Sequence, residues 1–470
     1  VGRAGWGRLC SIGRCSPTSS PTGTWKTAIW SVRTRNEDGA PQRDRPMQLS
    51  GQGQPKWTGG IRMPLVLRDA RLADSRRVDI SVDDGRVVEL TDAGCLADEG
   101  AEVHDLDGWL VVPAMVEPHA HLDKALTAEQ VPNPSNDLTG AIEAWVAASA
   151  AGDFTIDDTL RRATRAMELL LINGVTAVRT HVNVSSGTDN LRAVREAASR
   201  FSGLLEVQVV ALPSNPMTGP EGRVNRDALD AAIEVGVDLV GGCPHLDPDG
   251  PGLIAHSLAV ATEAGMGLDL HVDEMLDPAV LTLRDLARQV VEAGFEHPVT
   301  ASHCVTLGMQ EPDVQVSVAR EVAEAGIAVI TLPHTNLFLQ GRIRPKATPR
   351  GLTAITALQE AGVLVAAGAD NIQDPFNLVG RSDPLETAAL LVMAAHQTPD
   401  EAYRLVADHA RTLIGCPPAA IRPGATADLV VIDVPSVRAA IAEAPASRRV
   451  YRRGVLVASV DHHVQIHRPD

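Results

Sequence analysis

The chain has 470 residues, is 44% hydrophobic but only 3% aromatic, and carries a net charge of −17. That length exceeds one small domain and suits an α/β barrel of roughly 250–350 residues plus a smaller domain, with a core of Val, Leu, Ile and Ala. The acidic balance argues against nucleic acid or an anionic membrane as partner.

In chain order, residues 1–62 come first and differ from the rest. They are rich in Ser, Gly, Pro and Arg, hold ten Lys or Arg against three Asp or Glu, and contain four of the six Trp. Neither helical nor strand periodicity is visible. Such a segment cannot bury enough surface to offset its ordering entropy, so a disordered extension is expected, with Met63 opening the regular pattern.

From Met63 to Val112 the pattern is β. PLVLRDARLA, RRVDISVDDGRVVEL and HDLDGWLVV read as short strands, with Asp83-Asp84-Gly85 as a hairpin turn. A similar pattern fills 421–470, in ATADLVVIDV and SRRVYRRGVLVAS. Lone short strands are unstable, so the two ends are expected to build one small β-sandwich domain together.

Residues 113–420 alternate strand and helix. Strands are expected at WLVVPAMVEP, 175–184, 204–212, 237–243, 266–274, 298–304, 327–333 and 363–370. Helical stretches such as SLAVATEAG and LRDLARQVVEAG lie between them and end in Gly, as helix C-termini often do. Eight apolar strands joined by crossover helices predict a (β/α)8 TIM barrel, with its site at the C-terminal strand ends.

That rule sorts the polar residues. The strand ends carry His119 and His121, then His181, Ser214, nothing titratable near Cys243, His271 with Asp273 and Glu274, His303, His334, and Asp370 with Asn371. Positions two apart share one face of a strand, so His119 and His121 can address one metal ion together. Metal-ligand residue types at one end of so many strands point to a metal-dependent site.

With these motifs in place, the chain resembles the amidohydrolase superfamily, and within it the cytosine deaminase group. The marks are PHAHLDK, THVNV, DLHVDE, ASHC, the LQGR loop at 339–342, GADNIQDPF, and HARTLIG followed by ATADLVVID. HVDE with LQGR is similar to the cytosine deaminases. HLDK and DNI look more like the N-isopropylammelide amidohydrolases, which cleave a triazine C–N bond.

The resemblance implies a hydrolase acting on C–N bonds other than peptide bonds. The metal ligands would be His119, His121, His271 and Asp370, a donor set that suits one Zn or Fe ion. Such an ion would bring a bound water towards a pKa of about 7. Binuclear relatives use a lysine after the fourth strand, and VDLVGGCPH has none, so one metal per chain is expected. Glu274 would shuttle protons, His303 would hold or polarise the water, and Asp370 would accept the water's proton. His181 is given no ligand role. An ideal strand would turn Glu274 away from His271, so a bend is required there.

Substrate contacts are expected from Lys124, Ser214, Gln340 and Asn371. Ser214 stands where the cytosine deaminases place a glutamine, and Asn371 where they place an aspartate. An amide both donates and accepts, whereas a carboxylate only accepts, so cytosine itself fits less well. Lys124 would favour an oxo-rich ring or an anionic group. The expected function is a cytosine deaminase-like hydrolytic deaminase of a nitrogen heterocycle. The alternatives are release of an alkylamine from an oxo-triazine or related ring, and a non-catalytic scaffold. Intact ligands weigh against the scaffold. The absence of any CxxC excludes the zinc deaminases with cysteine ligands.

Six cysteines without a CxxC pair, no run of 18 apolar residues and no signal-peptide core lead to the expectation of a reduced, soluble, cytoplasmic protein. A small heterocyclic molecule is the expected partner. A homo-oligomer is implied by the resemblance.

Overall fold

The structure, a computed structural model, describes residues 63–467 apart from residue 345. The extension expected over 1–62 lies outside the described residues. Strands β1 (Leu65–Arg71), β2 (Arg77–Asp83), β3 (Arg86–Asp92), β4 (Glu102–Asp105) and β5 (Leu110–Pro113) open the chain. The β2–β3 hairpin turns at Asp84 and Gly85, with φ of 45° and 74°. Two positive φ values give the turn whose twist suits flanking strands, and Asp-Gly tolerates them.

The barrel strands follow: β6 (Met115–Ala120), β7 (Val175–Asn183), β8 (Glu206–Leu212), β9 (Leu239–Gly242), β10 (Gly267–Val272), β11 (Val299–His303), β12 (Ala328–Thr331) and β13 (Val365–Ala367). Neighbours pair in sequence order, all parallel. An isolated bridge between Ala120 and Asp370 joins the last strand's end to the first. Its bonds are His121 N–H to Asp370 O, 3.2 Å, and Asp370 N–H to His119 O, 3.0 Å. The barrel therefore closes through the backbone of the residues that build the site.

The stretch WLVVPAMVEP, expected as one strand, is two. Leu110–Pro113 belongs to the β domain, and Met115 starts the barrel. The helices Gly250–Ala264 and Thr282–Ala293 stop at Gly265 and Gly294, both left-handed, as their terminal glycines predict.

After the barrel come β14 (Leu429–Ile432), β15 (Arg448–Arg452) and β16 (Val455–Val460). They join the first strands in one mixed sheet of order β16-β15-β14-β5-β1-β2-β3, with β4 on β1. β14 pairs antiparallel with β5, so the two chain ends meet at the sheet's centre. Alternation divides their side chains between two cores. Val111, Leu429 and Val431 face the sheet's own apolar cluster, while Leu110, Val112, Val430 and Ile432 face the barrel's. At roughly 25 cal/mol per Å² of apolar surface, this shared burial is what fixes the sheet to the barrel. The buried pair Arg448–Asp383, at 2.7 and 3.0 Å, adds a polar link between β15 and a barrel helix. No helix among the described residues is long and apolar enough to cross a membrane.

Candidate active site

Three strand ends bring four side chains together. Nε2 of His271 lies 3.2 Å from Nε2 of His119 and 3.3 Å from Nε2 of His121. Asp370 Oδ1 lies 3.2 Å from His121 Nε2 and 3.6 Å from His119 Nε2. All four side chains are buried. Burial, reinforced by neighbouring His and Lys groups, pushes protonation of the three histidines well below the usual imidazole range. Three ring Nε2 atoms thus face one point, beside a carboxylate oxygen that has no hydrogen-bond partner. Tetrahedral ligands held at about 2.0–2.1 Å from a zinc ion stand about 3.3–3.4 Å apart. The observed spacings match that edge length, and the donor set fits a divalent cation.

His303 and Glu274 form the far wall. His303 Nε2 is 3.8 Å from Asp370 Oδ2, and its Nδ1 is 3.6 Å from Glu274 Oε1. Asn336 Nδ2 sits 3.1 Å from the same Nδ1. Burial pushes His303 down to about 3, so it is neutral. Burial, and next the charge on Asp370, push the Glu274 carboxyl well above the usual range. Its Oε1 is buried without a partner.

The bend that Glu274 requires is present. β10 ends at Val272, and Asp273 is left-handed with φ of 51°. An aspartate adopts that conformation when local hydrogen bonds hold it. Here its carboxylate accepts from Thr282 N–H and Leu283 N–H, both 3.0 Å, and from Thr282 Oγ, 2.6 Å, at a helix start. The anchored turn carries the chain round so that Glu274 faces His303. His303 and Asp370 are themselves left-handed, with φ of 70° and 68°. Such strained backbone gathers where the surroundings over-determine a side chain's position.

Other expected contacts lie differently. Lys124 is buried, its Nζ 3.2 Å from His121 Nδ1 and 5.2 and 5.9 Å from the ring centres of Phe376 and Trp145. Asn371 spends its amide on the protein: Oδ1 accepts from Thr335 Oγ at 2.9 Å and Nδ2 donates to Asp374 at 2.8 Å. Gln340 Nε2 donates to the backbone carbonyl of Glu274 at 3.0 Å. Ser214 Oγ accepts from Asn183 Nδ2 at 3.3 Å. His334 turns away, its Nε2 3.1 Å from Thr387 Oγ.

One expectation is corrected. Nothing titratable was expected near Cys243, yet His245 is buried just after β9, with Nδ1 3.0 Å from the His271 carbonyl. The proline turn Pro244–Leu246 swings it inward, which the CPH triplet could have signalled. Sequence patterning also missed the groups below the rings: Arg179, Asp269 and Ser302.

A closed parallel barrel with histidines and an aspartate at its C-terminal rim defines a metal-dependent hydrolase fold. The amidohydrolase family profile matches residues 149–460, and the chain belongs to that family. It is 31% identical over 389 residues to the pterin deaminase of Rhizobium rhizogenes (strain K84), covering 81% of this chain and 88% of that protein. Among solved structures, it is similar to 5-methylcytosine deaminase from Klebsiella pneumoniae liganded with 5-fluorocytosine. There the TM-score is 0.77 and the identity 28%, over 86% of this chain and 99% of the other. N-isopropylammelide isopropylaminohydrolase from Burkholderia multivorans gives a TM-score of 0.73 at 26% identity, over 85% and 99%.

Proposed function

We propose that this chain is a metal-dependent hydrolytic deaminase of an oxo-amino nitrogen heterocycle, using one ion per chain. The observation that carries the reading is the convergence of three imidazole Nε2 atoms and Asp370 Oδ1 on one point. His119, His121, His271 and Asp370 would hold a Zn or Fe ion. When bound, such an ion supplies a nucleophilic water at neutral pH and polarises the substrate.

The chain's own residues manage the protons. Burial and the neighbouring Asp370 charge raise the Glu274 carboxyl, which favours its protonated form, the form that can donate to a ring nitrogen. It then takes the proton left on the attacking oxygen and delivers it to the leaving amine, and the proton held by Asp370 returns to restore Glu274. His303, neutral, orients the water and hydrogen-bonds the substrate from the far wall. Asp370, whose carboxyl burial raises, would be held ionised by a bound cation and could then accept the water's proton. Gln340 holds the Glu274 backbone rather than leaving its amide free.

Pterin and 5-methylcytosine, named in the relatives, share an exocyclic amine on a ring carbon beside a ring nitrogen, in a ring that also bears an oxo group. That shared unit is the substrate class we infer, with Lys124 near an oxo oxygen. Alkylamine release from an N-alkyl oxo-triazine is the second reading, favoured by the likeness to the N-isopropylammelide enzyme. The deciding assay measures ammonia or amine release by metal-quantified protein from cytosine, 5-methylcytosine, isocytosine, pterin, ammelide and N-alkyl ammelides. Ammonia from the oxo-amino rings supports the first reading. Amine only from N-alkyl triazines selects the second, and no release from any of them rejects both. The homo-oligomer belongs to the same proposal and is read by light scattering.

A further inference from the structure

Below the ring cluster, two inward layers of side chains cross the barrel, contributed by positions two apart on three strands. The lower layer holds Arg179, Asp269 and Thr300, and the upper holds His181, His271 and Ser302. All six are buried. Arg179 Nη1 donates to Asp269 Oδ2 at 2.8 Å and to Thr300 Oγ at 3.2 Å. Ser302 Oγ lies 2.9 Å from Asp269 Oδ1 and 2.9 Å from His119 Nδ1.

These contacts determine where the protons sit. An ionised carboxylate can only accept. Asp269 is paired with the buried Arg179 guanidinium, its Oδ2 accepting from Nη1 at 2.8 Å, so its carboxylate is the acceptor in this network. The Ser302 hydroxyl therefore gives its one proton to Asp269. Its oxygen is then an acceptor, and His119 must carry its proton on Nδ1. That leaves Nε2 bare, aimed at His271, His121 and Asp370. His181 stacks on His119, with ring centres 4.0 Å apart, and blocks rotation of the ring.

We propose that Ser302 and Asp269 form a relay that fixes the tautomer and orientation of His119, and through it the affinity of the site for its metal. The inference rests on the reading that His119 is a ligand. Ser302 and Asp269 are positioning residues, acting from behind the ring. Partners of this kind, when removed, cost on the order of 10–100-fold in metal affinity.

The test uses the full chain, stripped of metal and titrated with Zn²⁺ against a competing chelator, and separately loaded with Co²⁺ for its visible spectrum. Ser302→Ala should bind Zn²⁺ 10–100-fold more weakly and shift the Co²⁺ bands, while the melting temperature of the metal-free protein changes far less than the affinity does. Ser302→Thr restores the hydroxyl and should recover most of the affinity, which a purely packing role for Ser302 would not produce. If the alanine variant does not fold, Asp269→Asn, which removes the obligatory acceptor, is read by the same two measurements and should show the same loss. Zn²⁺ affinity within twofold of the parent, with an unchanged Co²⁺ spectrum, overturns the relay. His119→Ala separates the two levels. If it abolishes binding while Ser302→Ala binds normally, only the relay fails. If His119→Ala itself still binds tightly, the ligand reading fails first.

Discussion

His303 and His334 follow neighbouring strands, β11 and β12, and both are buried. In sequence they look alike. His334 meets Thr387 Oγ at 3.1 Å and stands 3.9 Å from Glu386, against the helix Pro384–Ala394. His303 turns inward, and its Nε2 has no hydrogen-bond partner although Asp370 is 3.8 Å away. The same contrast separates Asp370 from Asn371: Asp370 Oδ1 is unpaired, whereas both ends of the Asn371 amide are used by the fold. A buried polar atom without a partner costs about 1–3 kcal/mol, so a fold keeps several together only where something else is to bind them. Residue type at a strand end marks a candidate. Within each of these two pairs, the residue with the unpaired atom is the one that faces the cluster.

The largest effect expected on the unpaired side is at His271, which touches both other histidines. His271→Ala should lose most of the bound metal and all measurable turnover together. Metal analysis of the purified variant checks this. A variant that retains one full equivalent, and is merely slow, would remove His271 from the ligand set. Two tightly bound equivalents in the parent, both needed for activity, would contradict the single-ion proposal.

Glu274→Gln comes next. It keeps the shape and one acceptor but removes the titrating group. Turnover should fall by a factor on the order of 10²–10⁴, with metal content and binding of an inert substrate analogue nearly unchanged. Near-normal turnover would move the proton work to His303 and Asp370.

The difference between paired and unpaired atoms explains what could be seen in the sequence. The eight strands were legible because each is a short apolar run, and HAH, HVDE and GADN lie just past such runs. The grouping of His119, His121, His271, His303 and Asp370 follows from barrel topology alone. Tertiary pairing does not. Nothing local in GADN says that Thr335, 36 residues upstream, saturates Asn371. The turn that aims Glu274 depends on Asp273 capping a helix nine residues on. Ser302 is hidden because, within a strand buried on both faces, a serine gives no sign of which neighbour it meets.

On the paired side, Asn371→Ala strands Thr335 Oγ and the buried Asp374 carboxylate. Stability should drop by about 1–3 kcal/mol, read as a lower melting temperature. KM for whichever heterocycle is turned over should change less than threefold. A large KM effect without a stability loss would instead make Asn371 a direct substrate contact.

The smallest effect at neutral pH is expected at His334. Burial, reinforced by Arg381, lowers it from 6.5 to about 4, so the folded protein keeps it neutral while the unfolded chain protonates it more readily. Between those values the unfolded state binds more protons. Its contribution to stability is therefore complete above pH 6.5 and is lost as pH falls towards 4, by at most roughly 3 kcal/mol. His334→Gln keeps a partner for Thr387 but cannot titrate. At pH 7.5 the variant and parent should have similar melting temperatures and turnover. At pH 5 the parent should have lost stability relative to the variant, so a gap opens between the two melting curves with the variant melting higher. Unchanged pH dependence would mean that His334 is solvated rather than packed on Thr387. A fall in turnover at neutral pH would place it on the unpaired side with His303, and the distinction drawn between the two histidines would not hold.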